Sequence, residues 1–139
     1  MVELRAESPT LSKVGRHVLL QLAASLKLDL EIGDVTTAFL QGDREAETKR
    51  DVYLEPLQEL RTKLKLNREQ ILKLTGSVYG LRTAPRRWYT RVRRDLINLG
   101  WCVHQLDQCL FLLYDGDKRL GIGGVYVDDF VLAGDLKKP

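Results

Sequence analysis

Cysteine is scarce in this chain: only Cys102 and Cys109 occur among 139 residues. Two thiols make no disulfide framework, and Met1 to Ser8 lack a signal-peptide pattern, so a reducing compartment is expected. Cys102, His104 and Cys109 also lack a Cys-x-x-Cys pair and a fourth ligand, which argues against a structural zinc site. No apolar run approaches the ~20 residues that span a bilayer, so no membrane partner is expected. Internal repeats and low-complexity segments are missing too. So is a strong charge imbalance: the formal net charge is only +3. Its distribution therefore matters more than its total, and much of the positive charge sits between Arg82 and Arg94. What is present is an apolar fraction of 44%, enough at this length for one core and one domain over residues 1–139.

Ser8-Pro9-Thr10, with Leu11 and Ser12, reads as a helix start, and Val14, Val18, Leu19, Leu22 and Leu26 follow at helical spacing as its core stripe. His17 on this helix reads as structural. Leu28 to Asp34 alternates like a half-buried strand, and Val52-Tyr53-Leu54 is a short strand candidate. Between them, Gly42 to Arg50 is charged and expected to be exposed. Glu59 to Gln70 reads as a surface helix or loop before a strand at Ile71 to Leu74. A second helix is predicted from Pro85, with Trp88, Val92, Leu96 and Leu99 on one stripe and Gly100 as its stop. Arg87, Arg91 and Arg94 lie on its other face. Cys109 to Tyr114 and Leu120 to Tyr126 flank the hairpin signal Asp115-Gly116-Asp117, and Phe130 to Ala133 can return antiparallel. Gly121, Gly123 and Gly124 weaken the middle strand, as expected where another backbone or a ligand approaches closely.

The most informative segment is Gly124-Val125-Tyr126-Val127-Asp128-Asp129-Phe130-Val131-Leu132-Ala133, which carries two consecutive aspartates into a tight turn. Adjacent like charges repel and resist burial, and a divalent cation neutralises them. Asp34 ends the earlier alternating segment, so Asp34, Asp128 and Asp129 together suggest a three-carboxylate metal site, with the Val35 carbonyl as a further oxygen. Hard oxygen donors suit Mg²⁺, with Mn²⁺ as the alternative. Two such ions ~4 Å apart activate an attacking hydroxyl and stabilise the leaving oxygen in phosphoryl displacement. Taken alone, the aspartate pair is equally a solvated turn.

Four segments occur in order: Asp34-Val35-Thr36-Thr37-Ala38-Phe39-Leu40-Gln41-Gly42, Val52-Tyr53-Leu54-Glu55-Pro56, Leu74 through Tyr89 with Tyr79-Gly80-Leu81-Arg82-Thr83-Ala84-Pro85 at its centre, and Tyr126-Val127-Asp128-Asp129. Together they resemble the reverse transcriptase of copia-type LTR retrotransposons, over nearly the whole chain. The resemblance implies an α+β fold, the palm of a right-hand polymerase with part of the fingers, its antiparallel sheet packed on helices. It implies RNA-directed DNA polymerase activity, with Asp34, Asp128 and Asp129 catalytic and Asp34 and Asp128 the more direct metal ligands. Phe39 matches the aromatic position that crowds the sugar 2′ carbon and excludes ribonucleotides, with a core aromatic as the plain alternative. Tyr79, Gly80 and Arg82 match the nucleotide pocket. Tyr126, Val127, Arg86, Arg87 and Arg91 fall to the nucleic acid, Val127 beneath the primer terminus, and phosphate contacts weaken with salt. Arg93 and Arg94 are equally a solvated helix face, and Trp88 a core residue.

The implied partners are an RNA or DNA template with primer, deoxynucleotides, and the other Pol regions, integrase and RNase H. The implied location is a retroelement particle in the cytoplasm, with the nucleus as the alternative. Against the family pattern, the chain reads as truncated at both ends. Finger strands are missing upstream, Arg5 takes no role, and Lys137 and Lys138 lie too near the aspartates to replace a downstream lysine motif. Thr83 stands where glutamine is common. Such a chain can also be an inactive relic that only binds nucleic acid.

Overall fold

The computed structural model describes residues 7–42 and 51–134. Arg5, most of the Gly42 to Arg50 segment, Lys137 and Lys138 lie outside the described residues.

Helix α1, Lys13–Leu26, starts where the Ser12 hydroxyl accepts the Gly15 amide at 2.9 Å, pairing a donor the first turn leaves orphaned. It stops at Lys27, which takes a left-handed conformation with φ 52°. Its buried face is Gly15, Leu19 and Ala23, flanked by Leu11 and Leu22. This corrects the expected stripe, because Val14, Val18 and Leu26 are 71%, 42% and 56% exposed. Small residues help explain the rotation: Gly15 lets the first turn lie close to Asp107, and Ala23 packs with Leu110, Ile122 and Ala133 of the sheet. His17 is exposed rather than embedded.

Strand β1, Asp29–Asp34, forms as expected, but all six residues are exposed rather than half-buried. It is one of the two outer strands of its sheet. Asp51, Val52 and the strand β2, Tyr53–Leu54, lead into helix α2, Gln58–Leu64, and strand β3, Leu72–Lys73, returns antiparallel to β2. Arg61 organises this small unit from within. It is buried and donates to the carbonyls of Pro56, Asn67 and Gln70 at 3.0, 2.6 and 2.9 Å. The stretch read as helix or loop is thus a short helix followed by a loop wrapped on one guanidinium.

Helix α3, Ala84–Asn98, has proline in its first turn and buries Ala84, Trp88, Tyr89 and Val92. Leu99, expected on the stripe, caps the helix and is 73% exposed. Strand β4, Trp101–Val103, follows at once and was not anticipated; three residues between Gly100 and His104 are too few to show a period. Strands β5, Leu110–Asp115, and β6, Lys118–Tyr126, form the expected hairpin, its two-residue turn opened by Gly116 at φ +57°. Strand β7, Asp129–Gly134, returns on β6.

The result is α+β: a five-stranded antiparallel sheet in the order β1-β7-β6-β5-β4 with a helix on each face. Alternation along β5 shows the division. Leu110 and Leu112 pack with α1, whereas Phe111 and Leu113 pack with α3. The glycines of β6 meet close neighbours, as expected. A Cβ on Gly124 would stand 2.7 Å from Leu11 Cδ2 and 3.1 Å from Leu19 Cδ1, and one on Gly123 would meet Leu132 and Trp101.

A carboxylate site at the end of the sheet

Pairing of β1 with β7 joins residues that are far apart in the chain. Asp34 stands directly across from Asp129, and directly opposed residues of a ladder share one face. Tyr126 in turn pairs with Asp129 across the β6–β7 hairpin, leaving Val127 and Asp128 as the turn. The Val35 amide, one residue past β1, donates to the Asp128 carbonyl at 3.0 Å. Asp34, Val35, Asp128 and Asp129 therefore meet at one end of the sheet. Asp34 and Asp129 are exposed and Asp128 is half-buried.

Two backbone outliers flank this end. Val127 has φ +59° and Thr37 has φ +56°, both β-branched residues in a region such side chains avoid. A backbone held there costs about 1–3 kcal/mol and persists only when neighbours hold it. At Val127 the neighbour is Trp88, whose indole Nε1–H donates to the Val127 carbonyl at 2.7 Å. Composition alone gave Trp88 only a core role; the missed signal is that a buried indole N–H needs an acceptor. At Thr37 the turn continues into a short 3₁₀ helix, Ala38–Gln41, and Gln41 reaches back to the Thr36 carbonyl at 3.0 Å.

The turn separates two cavities. One, of about 260 Å³, lies on the α3 side between Ser8, Phe39, Pro85, Trp88, Val125 and Val127. The other, of about 630 Å³, lies on the α1 side and includes Leu30, Ile32, Tyr126 and Asp129 with Lys13 and Arg16 at its margin. Phe39 is half-buried against the aromatic core and meets Tyr79 edge-on, ring centroids 5.6 Å apart. Phe39 and Asp129 thus line different cavities. Tyr79 and Arg82 are exposed, and Gly80 holds φ +89° with open space where a Cβ would project.

The arginines of α3 are less free than a solvated stripe suggests. Arg86 lies 6.0 Å from the Tyr89 ring centroid and reaches the Glu7 carbonyl at 3.5 Å. Arg91 donates to the Gln41 carbonyl and pairs with Asp95 at 3.4 Å. Arg87 is half-buried beside Gly42. Near the base of α1, Asp107 accepts the Ser12 and Cys109 amides at 3.0 and 2.9 Å. Burial pushes the Asp107 carboxyl up, but hydrogen bonds from Ser12 and Cys109 outweigh it and hold the group below the usual aspartate range. Burial pushes the Cys109 thiol up to about 12, while Cys102 is exposed.

The donor set at the sheet end is all oxygen, the chemistry a hard divalent cation requires. Among the described residues, however, no three Asp, Glu, His or Cys side chains are gathered as a ready ligand group. The backbone brings the carboxylates to one place without their side chains converging.

The sequence as a whole has counterparts among known proteins. The family described as reverse transcriptase (RNA-dependent DNA polymerase) matches residues 5–138. The chain belongs to that family, in the group carried by copia-type LTR retrotransposons. It is 33% identical over 130 residues to the retrovirus-related Pol polyprotein from transposon TNT 1-94 of Nicotiana tabacum, covering 94% of this chain and 9% of the relative. It is 32% identical over 128 residues to the corresponding polyprotein from transposon RE1 of Arabidopsis thaliana, covering 92% of this chain and 8% of the relative. A putative transposon Ty5-1 protein of Saccharomyces cerevisiae is 32% identical over 72 residues, 52% of this chain and 23% of the relative. The chain therefore spans under a tenth of the plant polyproteins it matches. No solved structure gives a significant match. Among the described residues no helix is long and apolar enough to cross a membrane.

Proposed function

We propose that this chain is the palm, with part of the fingers, of an RNA-directed DNA polymerase that adds deoxynucleotides to a primer 3′-hydroxyl and releases pyrophosphate. The observation that supports this reading is the ladder pair Asp34–Asp129 beside the Val35–Asp128 bond, which brings these three aspartates to one sheet end. Asp34, Asp128, Asp129 and the Val35 carbonyl would hold two Mg²⁺ ions, with Mn²⁺ as a substitute. When bound, the ions supply hydroxyl activation and leaving-group stabilisation.

Phe39 and its edge-on partner Tyr79, with Gly80 and Arg82, form the nucleotide side of the site in this reading, and Phe39 excludes the 2′-hydroxyl. Tyr126, Val127, Arg86, Arg87 and Arg91 face primer and template. The remaining Pol regions, integrase and RNase H, are the protein partners, in a cytoplasmic particle or the nucleus.

Primer extension with Mg²⁺ tests the reading. Asp128→Asn is expected to reduce extension at least a hundredfold, a loss of roughly 3 kcal/mol of transition-state stabilisation. An unchanged rate in that variant would sink the assignment. A second reading, a relic that only binds nucleic acid, is favoured by the unconverged carboxylates. Salt-sensitive binding that survives removal of all three aspartates, without extension, would establish it.

A further inference from the structure

We propose that Trp88 is a positioning residue for the aspartate turn, acting through its indole N–H rather than through core packing alone. The two peptide units on either side of Asp128 are held from different directions. Trp88 of α3 binds the Val127 carbonyl at 2.7 Å, and the Val35 amide at the end of β1 binds the Asp128 carbonyl at 3.0 Å. These bonds take consecutive carbonyls, so each fixes one of the two peptide units that flank Asp128. Val127 needs such restraint, because a β-branched residue at φ +59° relaxes toward negative φ once released.

Trp88 is suited to the task by rigidity. Its ring is 5% exposed and packed in the cluster of Trp101, Phe111 and Val125, so the donor cannot follow a moving turn. Any relaxation at Val127 therefore breaks the bond outright. The 260 Å³ cavity bounded by Trp88, Phe39 and Val127 gives the released turn room to move on that side. Indole, turn and β1 end thus act as one clamp that sets where Asp128 and Asp129 start relative to Asp34.

The catalytic consequence rests on the polymerase reading above, whereas the clamp itself does not, and the test separates them. Two variants of the full chain are compared with wild type: Trp88→Phe, and replacement of Trp88 by benzothienylalanine, which keeps the bicyclic shape and removes only the donor. Native-state hydrogen exchange at the Val35 amide reads the clamp. Loss of one hydrogen bond is expected to speed that exchange about five- to tenfold while amides of β5 and β6 keep their rates. Titration with Mn²⁺, followed by its electron paramagnetic resonance signal, reads positioning. Mn²⁺ affinity is expected to fall about fivefold, and in primer extension kcat to fall with little change in the KM for nucleotide.

Val35 exchange within twofold of wild type in the benzothienylalanine protein would overturn the clamp even if Trp88→Phe unfolds. Faster exchange with unchanged Mn²⁺ affinity and kcat would overturn the positioning role. If wild type takes up no Mn²⁺, the polymerase reading fails, and the exchange rates still decide for or against the clamp.

Discussion

The two faces of the sheet solve the same packing problem with different materials. Toward α1 the contacts are aliphatic and close: Leu19, Ala23, Leu110, Ile122 and Ala133, with Gly124 of β6 lying directly under Leu11 and Leu19. Toward α3 they are aromatic: Trp88, Trp101 and Phe111, with Phe39 alongside. Aliphatic packing holds a helix in place and does no more. Aromatic packing can add a directional polar tip, and here Trp88 reaches the Val127 carbonyl and the Tyr89 hydroxyl reaches the Gln108 carbonyl at 2.8 Å. Both faces contribute stability, but among the described residues it is the helix on the α3 face that is hydrogen-bonded to the aspartate turn.

That contrast is breakable. The largest effect is expected for Phe111→Ala, since Phe111 has no exposed surface and sits under Trp88 and Trp101. A loss of about 4 kcal/mol should appear in urea denaturation, together with faster exchange at the Val35 amide. Next comes Leu19→Ala, the matching cut on the other face, at about 3 kcal/mol. It should leave the opening of the Val35 amide, measured relative to global unfolding, unchanged; a selective opening there would show that the faces are coupled after all.

The smallest effect concerns Asp107, which ties the start of α1 to the loop before β5. Asp107→Ala should cost about 1–2 kcal/mol at neutral pH. Because the folded carboxyl lies below its ordinary value, its contribution is full above the unfolded pKa and fades as pH falls through the folded one. The gap between wild type and variant should therefore narrow in acid below about pH 4. A gap that stays constant from pH 7 to pH 2 would remove the charge from the explanation.

The sequence made some of this readable. Long periodic segments were legible, so α3, the β5–β6 hairpin and the return strand β7 fall close to expectation. The Asp128-Asp129 pair stood out because a turn between two apolar strands is an unfavourable place for paired charge. What no local pattern carried was partner choice. The pairing of β1 with β7 spans nearly a hundred residues and decides that Asp34 meets Asp129. The stripe of α1 misled in part because Gly15 and Ala23 share the buried face with Leu19, and periodicity weighs large residues over small ones. Trp88 was visible as a core residue but not as a donor, since its acceptor belongs to a turn 39 residues away.

The outer strand β1 carries one more consequence, for the behaviour of many copies in a tube. Among the described residues no strand covers its free side, and Leu30 and Ile32 are 48% and 80% exposed. Such an edge invites the edge of another molecule. Asp29, Glu31 and Asp34 punctuate it with negative charge, so two copies approaching edge to edge repel one another. Dissolved salt shortens the reach of that repulsion to about 10 Å at 0.1 M, and lower still above it. Asp34, a candidate for chemistry, therefore joins Asp29 and Glu31 in a colloidal safeguard, one that high-salt buffers switch off.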